Sequence, residues 1–172
     1  MKYSQNEWKK FLGQQYFELL NNINNYKVIA NNKDILCSMT CYGYEFWNDC
    51  RKVFYRMLCI DIYNFLSTKN GLGVLQYTQE HINNATLQES VKLKVKNIVE
   101  VKYKDKFKTI RDKSIAHWDN DKNKEKTEDY WSKDFEEIAE TIGEILTNDF
   151  NIQEKKFRYG GIEAIIPRIS KP

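Results

Sequence analysis

The chain is poor in residues that break regular structure. Its 172 residues include two prolines and seven glycines. A many-stranded sheet needs turn punctuation at short intervals, so this scarcity favours long helices. Cysteine is sparse too: Cys37, Cys41, Cys50 and Cys59 form no C-x-x-C pair, and the two histidines, His81 and His117, lie far along the chain. That spacing does not resemble a zinc site, and neither a metal nor a cofactor is expected. The opening "MKYSQNEWKK" has no apolar core of the kind a secretory signal needs. Apolar runs are short and broken by charge, which leaves no candidate transmembrane helix and no membrane partner. The expectation is a cytoplasmic protein whose cysteines are reduced, small and mostly buried.

What is present suits a packed core. Hydrophobic residues make up 41% of the chain and aromatics 14%, while the 30% that are charged mix both signs, which argues against disorder. A chain of this length buries roughly 70% of its unfolded surface without staples. The net charge of +3 is small, but it is unevenly placed. Lys92, Lys94, Lys96, Lys102, Lys104, Lys106, Lys108, Arg111 and Lys113 share one window with only Glu100, Asp105 and Asp112. Such a stripe either attracts phosphates or is simply a solvated helix face.

Helical periodicity organises the chain. Ser4-x-x-Glu7 is a capping box, and Trp8, Phe11, Leu12, Gln15, Tyr16 and Leu19 follow at helical spacing, predicting a first helix that breaks at the Asn-rich "NNINN". Trp47, Cys50, Phe54, Met57, Leu58 and Phe65 form the stripe of a second, and residues 50–66 are apolar enough for the central helix of a bundle. Asp61 interrupts that run, either facing solvent or aimed at a partner side chain. "TKNGLG" is a loop, "YTQEHINN" a short helix, and His81 within it a surface or hydrogen-bonded residue. In the segment 87–118, apolar residues alternate with lysines like a strand. Yet Tyr103, Phe107, Ile110, Ser114 and His117 also share one helical face, and the lack of turn residues favours helix. After the polar "DNDKNKEKTED", a last helix points Phe135, Ile138, Ile142, Ile145 and Leu146 inward. The organisation is a helical domain over 1–150 and an extended C-terminal tail, 151–172. The tail's Ile162, Ala164, Ile165, Ile166 and Ile169 are expected to pack on the bundle or on a partner.

One stretch carries chemistry: "TIRDKSIAHWDND", residues 109–121. On spacing alone, His117 closes an amphipathic stripe, and a histidine near a helix C-terminus is favoured by the dipole. However, "IRDKSIAHWD" resembles the signature of the HEPN superfamily in its abortive-infection and toxin branch: an arginine, four to six residues, then a histidine. Here five residues separate Arg111 from His117, a polar residue (Asp112) follows the arginine, and Ala116 and Asp119 complete the resemblance. The helix order is also similar, with a long second helix ending in "IDIYNFL" and the motif ahead of the last helix. The resemblance covers roughly residues 4–150 and implies an all-α, HEPN-like bundle of about five helices.

It further implies metal-independent cleavage of RNA by a toxin or phage-defence effector, without a cofactor. In that chemistry the 2′-hydroxyl attacks the adjacent phosphorus. A histidine moves a proton near neutral pH, and a guanidinium stabilises the charge of the phosphorane. His117 would be the general base or acid and Arg111 the transition-state stabiliser. Asp112 would orient a catalytic side chain, or is a surface charge. Lys104, Lys108 and Lys113 would guide RNA phosphates. Six residues turn a helix by about 600°, which sets Arg111 and His117 roughly 120° apart. Either the helix ends before His117, or two motifs meet across a homodimer axis, as the resemblance implies. Toxins controlled by nucleotidyltransferase-type antitoxins carry a tyrosine two residues after the histidine, where this chain has Asp119, so an antitoxin of that class is not expected. Another antitoxin or defence-system partner stays open. The competing readings are a non-catalytic HEPN-like module that binds RNA, nucleotide or protein, and a helical interaction protein docking through its tail.

Overall fold

The structure is a computed structural model that describes residues 3–39, 43–66, 73–98 and 132–152. The capping box forms as read. Ser4 donates its backbone N–H and its hydroxyl to the Glu7 carboxylate at 2.8 and 2.7 Å, and Glu7 N–H returns to Ser4 Oγ at 3.3 Å. From this cap α1 runs over Gln5–Met39. It does not break at the Asn cluster. Asn22 and Asn25 are buried within the helix, and packing overrides their weak helix propensity. The interruption comes at Asn32, whose backbone leaves helical geometry (φ −126°, ψ 25°) while its side chain donates to Val28 O at 2.9 Å. A side chain that bonds to the carbonyl four residues back competes with the ladder and kinks it.

α2 spans Tyr44–Leu66 and runs antiparallel to α1. Asn22 of α1 bonds to Asp61 of α2, and Lys33, further along α1, bonds to Asn48, earlier in α2. Short helices α3 (Val74–His81) and α4 (Ala85–Lys96) follow. Asn84 caps α4 by accepting the Leu87 N–H at 3.1 Å, and Lys94 and Lys96 sit in its last turn, where the dipole favours cations. The last helix, α5 (Ser132–Glu144), passes into a π-helical turn, Ile145–Asp149. Phe150 N–H closes back on Ile145 O and Ile152 N–H on Leu146 O, with Asn151 in the left-handed region (φ 52°) where asparagine is tolerated. The described residues are all-α: they hold these five helices and no strand.

The core lies where α1, α2 and α5 meet. Tyr26, Tyr55 and Phe135, one from each helix, stack edge to face or tilted with ring centroids 5.6–6.0 Å apart. The inward face read for the last helix is borne out, since Phe135, Ile138, Ile142, Ile145 and Leu146 are all buried. A second, smaller cluster of Ile29, Leu36 and Trp47 sits at the far end, around the α1 kink. The stripe read on α2 mixed two faces: Trp47, Leu58 and Phe65 point inward, but Met57 is 41% exposed and Cys50 and Phe54 are half-buried. The cysteines are less buried than expected as well. Of the three described, Cys59 alone is buried, with its thiol pushed up to about 12 by desolvation, while Cys37 and Cys50 are half-buried. No helix among the described residues is long and apolar enough to cross a membrane.

Candidate functional site

Arg111, Asp112 and His117, with Lys104, Lys108 and Lys113, lie outside the described residues, as does the tail from residue 153 onward. The structure does describe the two anchors between which this segment runs. On one side α4 is followed, past its cap Asn97, by the buried Ile98. On the other, α5 begins at Ser132 and buries Phe135 in the same core. Lys94 near the end of α4 bonds to Asp149 beyond α5 at 2.7 Å, the carboxylate only 12% exposed. Lys27 of α1 pairs with Glu136 of α5. Charge thus ties α4 to the turn after α5, and α1 to the start of α5, while Ile98 and Phe135 share one core.

The basic stripe begins within this frame, and two of its members are paired. Lys92 bonds to Glu89 and Lys94 to Asp149, both at 2.7 Å. The Asp149 carboxylate is largely buried and holds Lys94, whereas the exposed Lys92–Glu89 pair is worth little and leaves Lys92 able to meet a phosphate.

Of two polar side chains inside the bundle, one follows the second of its two sequence readings, a polar group aimed at a partner, and one follows neither of its own. Asp61 does not face solvent. It is half-buried on α2 and accepts a hydrogen bond from Asn22 Nδ2 at 2.9 Å. Burial raises its pKa above the usual carboxylate range, the Asn22 bond opposes that rise, and the Glu18 charge adds to it. The signal was available, since an aspartate in the apolar run 54–66 is expensive unless it is partnered. The other is His81, neither a surface residue nor a hydrogen-bonded one. Its ring packs on Tyr77 (5.3 Å) and Trp8 (6.3 Å), and its buried Nε2 has no hydrogen-bond partner. Among the described residues no carboxylate orients His81, which a general base would need. Beside this aromatic group a surface cavity of about 240 Å³ is lined by Tyr3, Glu7, Trp8, Lys10, Phe11 and Gln14. Its one carboxylate, Glu7, is held by Ser4, which lowers its pKa. The cavity therefore contains no nucleophile and base in register. Among the described residues no three His, Cys, Asp or Glu side chains gather as a metal site would require.

No family model, no curated protein and no solved structure matches the chain.

Proposed function

We propose that the protein is a metal-independent endoribonuclease of HEPN type, acting as a toxin or phage-defence effector. The observation that carries this is the sequence Arg111-Asp112-Lys113-Ser114-Ile115-Ala116-His117. Its setting between α4 and α5 of an all-α chain supports the reading. His117 takes the proton of the ribose 2′-hydroxyl or gives one to the departing oxygen. The 2′-oxygen bonds to phosphorus, the bond from phosphorus to the 5′-oxygen breaks, and the products are a 2′,3′-cyclic phosphate and a 5′-hydroxyl. Arg111 holds the charge that builds on the phosphoryl oxygens with directed, permanently charged donors. Asp112 steers one of these side chains, and Lys104, Lys108 and Lys113 hold flanking phosphates. Two copies of the chain bring their motifs to one cleft.

The test is RNA cleavage in EDTA by the wild type and by His117→Ala. The wild type leaves cyclic phosphate ends, and the variant loses about 10²-fold or more of the rate, the usual share of general acid–base catalysis. Equal cleavage by both proteins removes His117 from the chemistry. Binding that weakens with salt, without cleavage by either, favours the non-catalytic binding module.

A further inference from the structure

The cavity at the head of α1 is built from one side only. Its six lining residues, from Tyr3 to Gln14, all belong to α1 or to the two residues just before it. Its walls are rings. Tyr3 precedes the Ser4 cap and packs on Trp8 as a hydrophobic staple does, at 6.0 Å between centroids. Phe11 stands edge-on to the same indole at 6.5 Å. Trp8, with Tyr77 and His81 of α3 packed on it, is only 2% exposed, whereas Tyr3 is 49% exposed. A volume of about 240 Å³ falls below the roughly 300–1,000 Å³ of a small-molecule pocket. The lining holds one carboxylate, Glu7, and one ammonium, Lys10, so it has no net charge to select an ion. What suits it is a single large apolar side chain.

We infer that the cover comes from the chain itself: Phe157, five residues past Ile152, seats among Tyr3, Trp8 and Phe11. The place where the described chain ends selects this occupant. After α5, Asn151 turns the backbone and Ile152 lands on α1, its Cγ2 3.5 Å from where a Cβ on Gly13 would stand. Lys10, three residues before Gly13, and Gln14, directly after it, both line the cavity. Phe150 packs on Tyr77 at 4.5 Å and Tyr77 on Trp8 at 6.2 Å, so the chain leaves one ring away from the indole. From Gly13 back to Tyr3 the helix and its cap span about 15 Å, and the five residues from Ile152 to Phe157 reach up to roughly 17 Å. Gln153, Glu154, Lys155 and Lys156 are polar, which makes Phe157 the first large apolar side chain within that reach. The long segment 99–131 is placed less well. It leaves from Ile98, buried in the main cluster, and returns at Ser132. That end of α5 lies by Lys27, which pairs with Glu136, about 20 Å along α1 from Gln14. A ring that meets three others at their edges gains beyond the area it buries. The contact is independent of the nuclease reading.

Trypsin tests it on the full chain, because Lys155, Lys156 and Arg158 flank Phe157 and cleavage follows the fraction of time a segment is open. These bonds are cut about tenfold or more faster in Phe157→Ser than in the wild type. Tyr3→Ala and Phe11→Ala, on the other side of the contact, raise the same rates and leave helical circular dichroism unchanged. Cleavage after Lys27 of α1 stays as slow as in the wild type, which a general loosening of the bundle would not allow. Phe11→Ala combined with Phe157→Ser is cut no faster than Phe157→Ser alone, since both remove one contact. Wild-type bonds cut as fast as those of Phe157→Ser overturn the inference. So does wild-type protection that neither Tyr3→Ala nor Phe11→Ala reduces, which puts the cover of Phe157 elsewhere. Protection that fades on dilution overturns it as well and hands the cavity to a second copy. RNA cleavage plays no part in the readout, so failure of the nuclease reading leaves this result standing.

Discussion

Asp61 shows how a single buried carboxylate sets a direction for stability. Its folded pKa is raised, above all by burial, while in the unfolded chain it titrates near the usual value of about 3.9. Between those two values the folded state binds more protons than the unfolded one, so stability falls as pH rises through that window. Above it the ionised group is a standing cost. Asp61→Asn keeps an acceptor for Asn22 Nδ2 and removes the charge. We expect the variant to melt higher at pH 7, by up to about 3 °C for a chain of this size. Its advantage should shrink as the pH drops below the folded pKa and be gone below the unfolded value of about 3.9. A lower melting temperature at pH 7 would mean that the ionised carboxylate is satisfied better than its burial suggests. Cys59 gives a second expectation at this scale. Thiolate is the reactive form, and a buried thiol pushed up to about 12 has almost none at neutral pH. A maleimide should therefore label Cys59 only at the rate of unfolding, as read by peptide mapping. Labelling that is fast in the folded protein would place the thiol at the surface.

At the scale of the helix, local periodicity was legible and the choice between faces was not. The capping box and the inward face of α5 followed from patterns with a fixed period, whereas the helical reading of 87–118, whose start is α4, rested on a lack of turn residues because its alternation fitted a strand as well. Met57 was misassigned because α2 is apolar on two sides, and a count of three-and-four spacings cannot tell which side meets the core. The Asn cluster was misread for a related reason. Asn22 is helical because it has a tertiary partner in Asp61, 39 residues away, which propensity cannot see. Close approach between helices was equally hidden. A Cβ placed on Gly143 of α5 would run into the Tyr16 hydroxyl of α1. Gly143→Ala gains helix propensity but forces that ring to move, and we expect a net loss of about 1–2 kcal/mol by chemical denaturation. Combining it with Tyr16→Phe, which deletes the obstructing oxygen, should cost less than the two changes summed. Strict additivity would show that the two residues do not meet.

Across the whole molecule, the motif and the frame were readable by different routes. Arg111 and His117 stand out because their chemistry is written in a short local string. Their neighbours in space depend on how distant segments pack, and periodicity says nothing of that. The frame itself divides unevenly. The main cluster includes Ile98 and Phe135, the two anchors of the motif segment, whereas Ile29, Leu36 and Trp47 form a separate small cluster beside the kink. Regions with few buried contacts open at lower free energy than the main core. Leu36→Ala and Phe135→Ala each delete a fully buried side chain, at a cost of about 2–5 kcal/mol, but their reach should differ. In Leu36→Ala, hydrogen exchange should quicken in α1 beyond Asn32 and in the first turns of α2. Protection in α5 should hold, and any RNA cleavage with it. Phe135→Ala removes the ring shared by α1, α2 and α5, so it should lower protection throughout and loosen the motif's anchor. If Leu36→Ala instead speeds exchange in α5 as much as at the kink, the two clusters open as one cooperative unit, and the far end of the bundle cannot be altered without disturbing the segment that carries His117.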